Sequence, residues 1–146
     1  MTTQAVLRQV RSPEADAATL EKSSDYFVQR DGLAFAGLHL LIDIWGASRL
    51  DDLPHVDAIM REAVAATGAT LLNIDLHHFE PNGGISGVAV LAESHMSIHT
   101  WPEKGYAALD VFVCGDCQPQ KAIPVLRRAF LPDNIQCTEM KRGLVL

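Results

Sequence analysis

The chain predicts an α+β fold: a two-layer sandwich, in which an antiparallel sheet has two helices packed on one face. Three observations lead there. Short β-rich apolar runs with period-two alternation recur from residue 38 onward, divided by turn residues. From residue 38 onward two segments show helical spacing in their apolar residues. The resulting order, β-α-β-β-β-β-α-β, has too few helices to cover both faces of the sheet, so one face is left needing a partner or a second subunit.

Residues 1–36 are polar, with Ser23-Ser24, Asp31-Gly32 and a weak helical pattern around Ala15 to Leu20. They read as an N-terminal extension, and the domain proper as 37–146. Leu38 to Trp45 is a strand ended by Gly46. Val56, Ile59, Met60, Ala63 and Val64 fall at i, i+3, i+4, i+7 and i+8, an amphipathic helix closed by Gly68. Leu72, Ile74 and Leu76 alternate with Asn73, Asp75 and His77 as a half-buried strand. Pro81 to Gly84 is a turn, and Val88 to Ala92 a returning strand.

Met96 to Thr100 alternates as another strand, with a turn at Pro102 and Gly105. Ala107 to Cys114 follows, placing Ala108, Asp110, Phe112 and Cys114 on one face and Leu109, Val111 and Val113 on the other. Pro119 opens a second helix, striped by Ala122, Val125, Leu126, Ala129 and Phe130 and stopped by Pro132. Ile135 to Met140 makes the last strand.

The composition is that of an ordinary globular domain: 146 residues, 48% apolar and 21% charged. A net charge of −6 and a pI near 5.4 give a nucleic-acid or anionic-membrane partner no electrostatic support. Met1 to Arg11 lacks the basic start and apolar run of a signal peptide, and no segment approaches a membrane span. The three cysteines include a lone Cys114-x-x-Cys117 with no second pair. A reduced, cytoplasmic protein is the expectation.

Reactive residue types crowd into 86–114: Ser86, Glu93, Ser94, His95, His99, Glu103, Asp110 and Cys114. His95 and His99 share a strand face, and a metal would need a third ligand from His77, His78 or Glu103. No cluster has tight ligand spacing, so no metal is expected. Ser86 lies outside any GxSxG, against a serine hydrolase.

The run GVAVLAESHMSIHTWPE (87–103) closely resembles the processing segment of the prokaryotic S-adenosylmethionine decarboxylases. The likeness continues through GYAALDVFVCG (105–115) and takes in His39, Phe79 with Pro81, and Arg142-Gly143. It spans roughly residues 37–143. It implies a proenzyme that cuts itself between Glu93 and Ser94, giving a β chain of 1–93 and an α chain of 94–146 whose first residue becomes a pyruvoyl group.

A hydroxyl must attack the preceding carbonyl in such a cut, which explains a serine there. The ester so formed is lost by β-elimination, and hydrolysis of the dehydroalanine leaves the ketone. By the same resemblance Ser86 and His99 assist the cut, His99 taking the proton. The Ser94-derived pyruvoyl holds substrate as a Schiff base, and Cys114 donates a proton to the product.

Phe79 and Trp101 match aromatics beside the adenine, and Glu103 an acid on the ribose. S-adenosylmethionine is the expected substrate and decarboxylated aminopropyl donor for spermidine synthesis the expected product. The resemblance further implies a homodimer with active sites at or near the subunit interface. One departure bears on the pocket: the stretch from Phe79 to Gly87 is one residue longer than the family's usual FxPxGxSG. Members that decarboxylate ornithine or arginine are the alternative, and an unprocessed homologue acting as a binding or regulatory subunit is a second.

Overall fold

The computed structural model describes residues 27–145. Its elements run β1 (Val28–Arg30), β2 (Leu33–Phe35), β3 (Gly37–Trp45), α1 (Leu53–Thr67), β4 (Leu71–His78), β5 (Ile85–Leu91), β6 (Ser94–Trp101), β7 (Tyr106–Cys114), α2 (Ala122–Phe130) and β8 (Asn134–Arg142). Six strands pair antiparallel in the order β4-β5-β6-β7-β3-β8. Both helices pack on one face, as expected.

The alternation on β7 decides how the layers form. Ala107, Leu109, Val111 and Val113 are buried, while Ala108, Asp110, Phe112 and Cys114 face the other way and are only part-covered. Leu40, Ile42 and Ile44 of β3 and Met96 and Ile98 of β6 continue the buried side, and Val56, Met60 and Ala63 of α1 meet them with Leu126 and Phe130 of α2. Fully burying side chains of this size contributes about 1.5–3 kcal/mol each.

Helix ends are held by local caps and by hydrogen bonds from neighbouring segments. Asp52 caps α1 through the His55 amide at 3.1 Å, and Gly68 closes it in the left-handed region at φ 87°. His55 in turn donates from Nε2 to the Ala129 carbonyl of α2 at 2.9 Å, and the Ser48 amide and hydroxyl both donate to the Phe130 carbonyl. Carbonyls that α2 leaves unpaired at its C-terminus are thus satisfied by His55 in the first turn of α1 and Ser48 in the β3–α1 connection.

The structure differs from the sequence reading at four places. Residues 28–35 form a hairpin around Asp31-Gly32, with Val28 and Phe35 buried against Leu38, so this part of the 1–36 segment packs on the domain. The helical pattern around Ala15 to Leu20 lies outside the described residues. On β4, Leu72 is 64% exposed, because a register shift between Leu71 and Asn73 inverts the pleat and turns Leu71 inward instead. The strand after the Pro81–Gly84 turn begins at Ile85, three residues before Val88, and it carries Ser86 into the sheet. Pro119 opens a 3-10 turn over Pro119–Lys121, and the α-helix starts only at Ala122.

Candidate active site

The sequence-predicted site residues gather on the open side of the sheet, but at two separate places. The first is the β5–β6 hairpin tip. Leu91 pairs with Ser94, leaving Ala92 and Glu93 as a two-residue turn. Glu93 sits in the left-handed region at φ 60°, a conformation that crowds any residue bearing a Cβ. The strained residue is therefore the one immediately before Ser94.

Cys114, at the end of β7, reaches across and donates from Sγ to the Glu93 carbonyl at 3.1 Å. Burial pushes the Cys114 thiol up; a hydrogen bond with Ser94 opposes this, and the charges of Glu93 and Cys117 add to the rise. The group beside the candidate scissile carbonyl is thus a protonated thiol at neutral pH. Cys114, Cys117 and Cys137 are all free.

The second place lies at the other end of β6. Ser86 and His99 are directly cross-strand, with Ser86 Oγ and His99 Nδ1 3.0 Å apart. They line a cavity of about 330 Å³ together with Phe79, Glu80, Asn82, Gly84, Thr100, Trp101 and Glu103. Trp101 packs on Tyr106 at 5.3 Å between ring centroids, and Phe79 packs on His77 at 4.4 Å. Thr100 anchors the wall from beneath: buried, it accepts from the Ile85 amide and donates to the Leu50 carbonyl, both at 2.8 Å. A shallower groove of about 450 Å³ adjoins, sharing Ser86 and His99 and adding Asp75, His77 and Ser97.

One chain does not bring the two places together. Ser94 and His99 lie five positions apart on β6, which at ~3.3 Å per residue is about 16 Å. His99 and Ser86 therefore do not reach the Glu93 carbonyl of their own chain.

Sequence reasoning missed two features. Glu80 and Asn82 line the cavity because the loop from Phe79 folds back on itself, the Phe79 amide bonding the Gly84 carbonyl at 2.7 Å and the Gly83 amide the Phe79 carbonyl at 3.0 Å. The lengthened loop was the signal pointing to them. The other feature is a cluster of His39, His95, Ser97 and Asp110 drawn from β3, β6 and β7. His95 and His99 share a face but not a metal-ligand grouping; the group of suitable spacing among the described residues is His39, His95 and Asp110, their donor atoms within 4.8 Å of one another. Burial tends to raise the Asp110 carboxyl, but hydrogen bonds from Ser97, His39 and His95 outweigh it and hold the group below the usual carboxylate range.

Comparison with known proteins matches the chain to a family. The family model described as S-adenosylmethionine decarboxylase matches residues 38–143. The S-adenosylmethionine decarboxylase proenzyme of Thermomicrobium roseum is 48% identical over 111 residues, 75% of this chain and 96% of that protein. The proenzyme of the same name from Methanococcus vannielii is 49% identical over 112 residues, covering 75% and 91%. Among solved structures, the adenosylmethionine decarboxylase of Aquifex aeolicus superposes with a TM-score of 0.66 at 32% identity, covering 75% of this chain and 92% of that one. The match begins one residue into β3 and ends just past β8, so it spans the whole six-stranded sheet and both helices with the hairpin tip and cavity they carry: the chain belongs to the S-adenosylmethionine decarboxylase family.

Proposed function

We propose that this chain is a self-cleaving proenzyme that decarboxylates S-adenosylmethionine through a pyruvoyl group made from Ser94. The observation that carries the reading is the hairpin tip. A left-handed Glu93 precedes the serine, and its carbonyl accepts a hydrogen bond from Cys114. Backbone strain at the residue before the bond raises the ground state for attack, and a donor on the carbonyl oxygen stabilises the charge that develops there.

Ser94 Oγ attacks the Glu93 carbonyl carbon, the C–N bond breaks, and the Glu93 acyl group passes to the oxygen. Loss of the Ser94 α-proton then expels the Glu93 carboxylate, and water releases the nitrogen as ammonia. The residues fit the group so formed: it starts the 94–146 chain at the tip of β6, with Cys114 beside it as a donor kept protonated by burial. A ketone at that position supplies an electron sink for loss of CO2. Cys114 then has the proton that the product carbon requires.

The separation of the two places gives the homodimer a chemical reason. Ser86 and His99, at the far end of β6, serve the cut made in a second copy packed against the open face. That face carries exposed Leu41, Val88, Val90, Trp101 and Met140 among its polar groups, a surface suited to burial in an interface. Phe79 and Trp101 flank the cavity for an adenine and a sulfonium, and Glu103 offers a carboxylate to ribose hydroxyls.

The experiment is mass analysis of the purified protein followed by CO2 trapping from carboxyl-labelled substrates. Two fragments ending and starting at 93 and 94, and CO2 from S-adenosylmethionine, are expected. An intact 15.9 kDa chain after long incubation contradicts self-cleavage. Release from ornithine or arginine alone contradicts the substrate.

A further inference from the structure

The cluster around Asp110 has a hydrogen-bond order that the preceding mechanism does not use. Asp110 Oδ2 accepts from His39 Nε2 at 2.6 Å and from His95 Nε2 at 3.1 Å, while Oδ1 accepts from Ser97 Oγ. On the far side of His39, Arg142 Nη1 stands 3.1 Å from Nδ1. A guanidinium only donates, so His39 Nδ1 is the bare nitrogen and its proton lies on Nε2. A carboxylate only accepts, so His95 also carries its proton on Nε2.

The same donor set at the same spacing has the look of a two-histidine, one-carboxylate metal site. Arg142 argues against it. An ion on His39 Nε2 drives that ring's proton to Nδ1, where it meets another donor. The arrangement is instead an ordered chain of protons, and its far end is informative. His95 Nδ1 has no hydrogen-bond partner among the described residues, and the His95 side chain is 41% exposed. The free lone pair belongs to the residue that follows Ser94, on the sheet face that also carries Cys114.

Resting on the pyruvoyl reading above, we propose that His95 Nδ1 is the base that takes the proton from the substrate's α-ammonium, and that Asp110 is the positioning residue that holds His95 in the tautomer able to do so. An ammonium has no lone pair with which to attack a ketone. With a pKa of about 8, an α-amino group is mostly in that form at neutral pH. The proton passes from nitrogen to Nδ1, leaving the amine free and an imidazolium whose Nε2–H still donates to Asp110. The same proton returns to the oxygen that leaves as water, so His95 ends as it began. The groups facing His95 are Asp110 and the uncharged Phe112 ring on β7, His39 on β3 with its ring 5.7 Å away edge-on, and uncharged Val90 on β5, with Arg142 reached through His39. The one anion in direct contact thus holds the Nε2–H and leaves Nδ1 as the bare nitrogen.

The test uses the processed full chain beside His95→Gln and Asp110→Asn, with cleavage scored first by mass. Nitrogen-15 NMR of the histidines should show the Nε2–H form of His95 in wild type and a mixture in Asp110→Asn. Reductive trapping of S-adenosylmethionine on the 94–146 chain should slow about 100-fold in His95→Gln, the typical contribution of a general base. Its rate should then climb roughly tenfold per pH unit below the amine's pKa, tracking the free amine, with a flatter wild-type profile.

Cleaved His95→Gln that traps substrate at the wild-type rate overturns the assignment. So does failure of folded His95→Gln and Asp110→Asn to be cleaved at all, because the pair then serves the cut. An uncut wild-type chain, seen before any substrate is added, overturns the pyruvoyl reading and this inference with it.

Discussion

Replacing Glu93 with glycine should slow self-cleavage while leaving the fold intact. At φ 60° the Glu93 Cβ is crowded by its own backbone, a cost of about 1–2 kcal/mol for a residue other than glycine. In the proposed cut that energy is held in the uncut hairpin turn and released when the carbonyl carbon moves from nitrogen to the Ser94 oxygen. Removing it lowers the starting state without helping the transition state. At about 1.36 kcal/mol per tenfold, the cut should slow roughly 5- to 30-fold. Stability moves less, because glycine loses about 0.5–1 kcal/mol more conformational freedom on folding, leaving a net gain of about 0–1.5 kcal/mol. Glu93→Ala keeps the Cβ and therefore the strain, so it should cleave close to the wild-type rate. The assay starts from chain made without cells or refolded from denaturant, sampled over time and resolved on denaturing gels into the 1–93 and 94–146 pieces. Glycine cleaving as fast as wild type refutes the reasoning, as does alanine slowing equally.

Further outcomes follow from other contacts. If His99 acts across a dimer, Ser94→Ala and His99→Ala chains are each uncut alone, but mixing them lets the His99→Ala chain be cleaved against the intact His99 of its partner; no cleavage on mixing contradicts action in trans. Thr100→Val removes two buried hydrogen bonds and leaves the Ile85 amide and Leu50 carbonyl unpaired, which should cost about 2–4 kcal/mol at 1–3 per orphaned group less the gain from an apolar side chain, measured by urea unfolding of uncut Ser94→Ala chain. Asp110 has its folded pKa lowered, so its ionised form adds stability that is present above the unfolded value of about 3.9 and is lost as pH falls through the folded one. Asp110→Asn should therefore flatten the acid side of a melting-temperature profile below about pH 4, and an unchanged acid limb contradicts the ionised hub.

Legibility followed the reach of each signal. The β7 alternation and the α1 stripe were readable because period two and period 3.6 are set by the backbone of the element itself. Leu72 was misplaced because the bulge that inverts its pleat arises from pairing with β5, which no local pattern on β4 reports. The hairpin at 28–35 was passed over because two strands of three residues are too short to show alternation, and their apolar members are buried only by contact with Leu38. Of the candidate site, the residue types were legible and the grouping was not. Ser86, His99 and Ser94 lie close in sequence, yet β6 is extended and carries His99 away from the bond it was expected to serve.

By itself the sequence determined the layers and the family and pointed to the proposed Glu93–Ser94 cut, since these rest on side-chain period and on a long run of residue identities. The tertiary structure decided what those residues meet. Register across β3, β6 and β7 places two histidines on one aspartate oxygen, and the hairpin tip puts Glu93 in the left-handed region under the Cys114 thiol. Pairing between strands distant in the chain sets such contacts, and only the folded sheet specifies it.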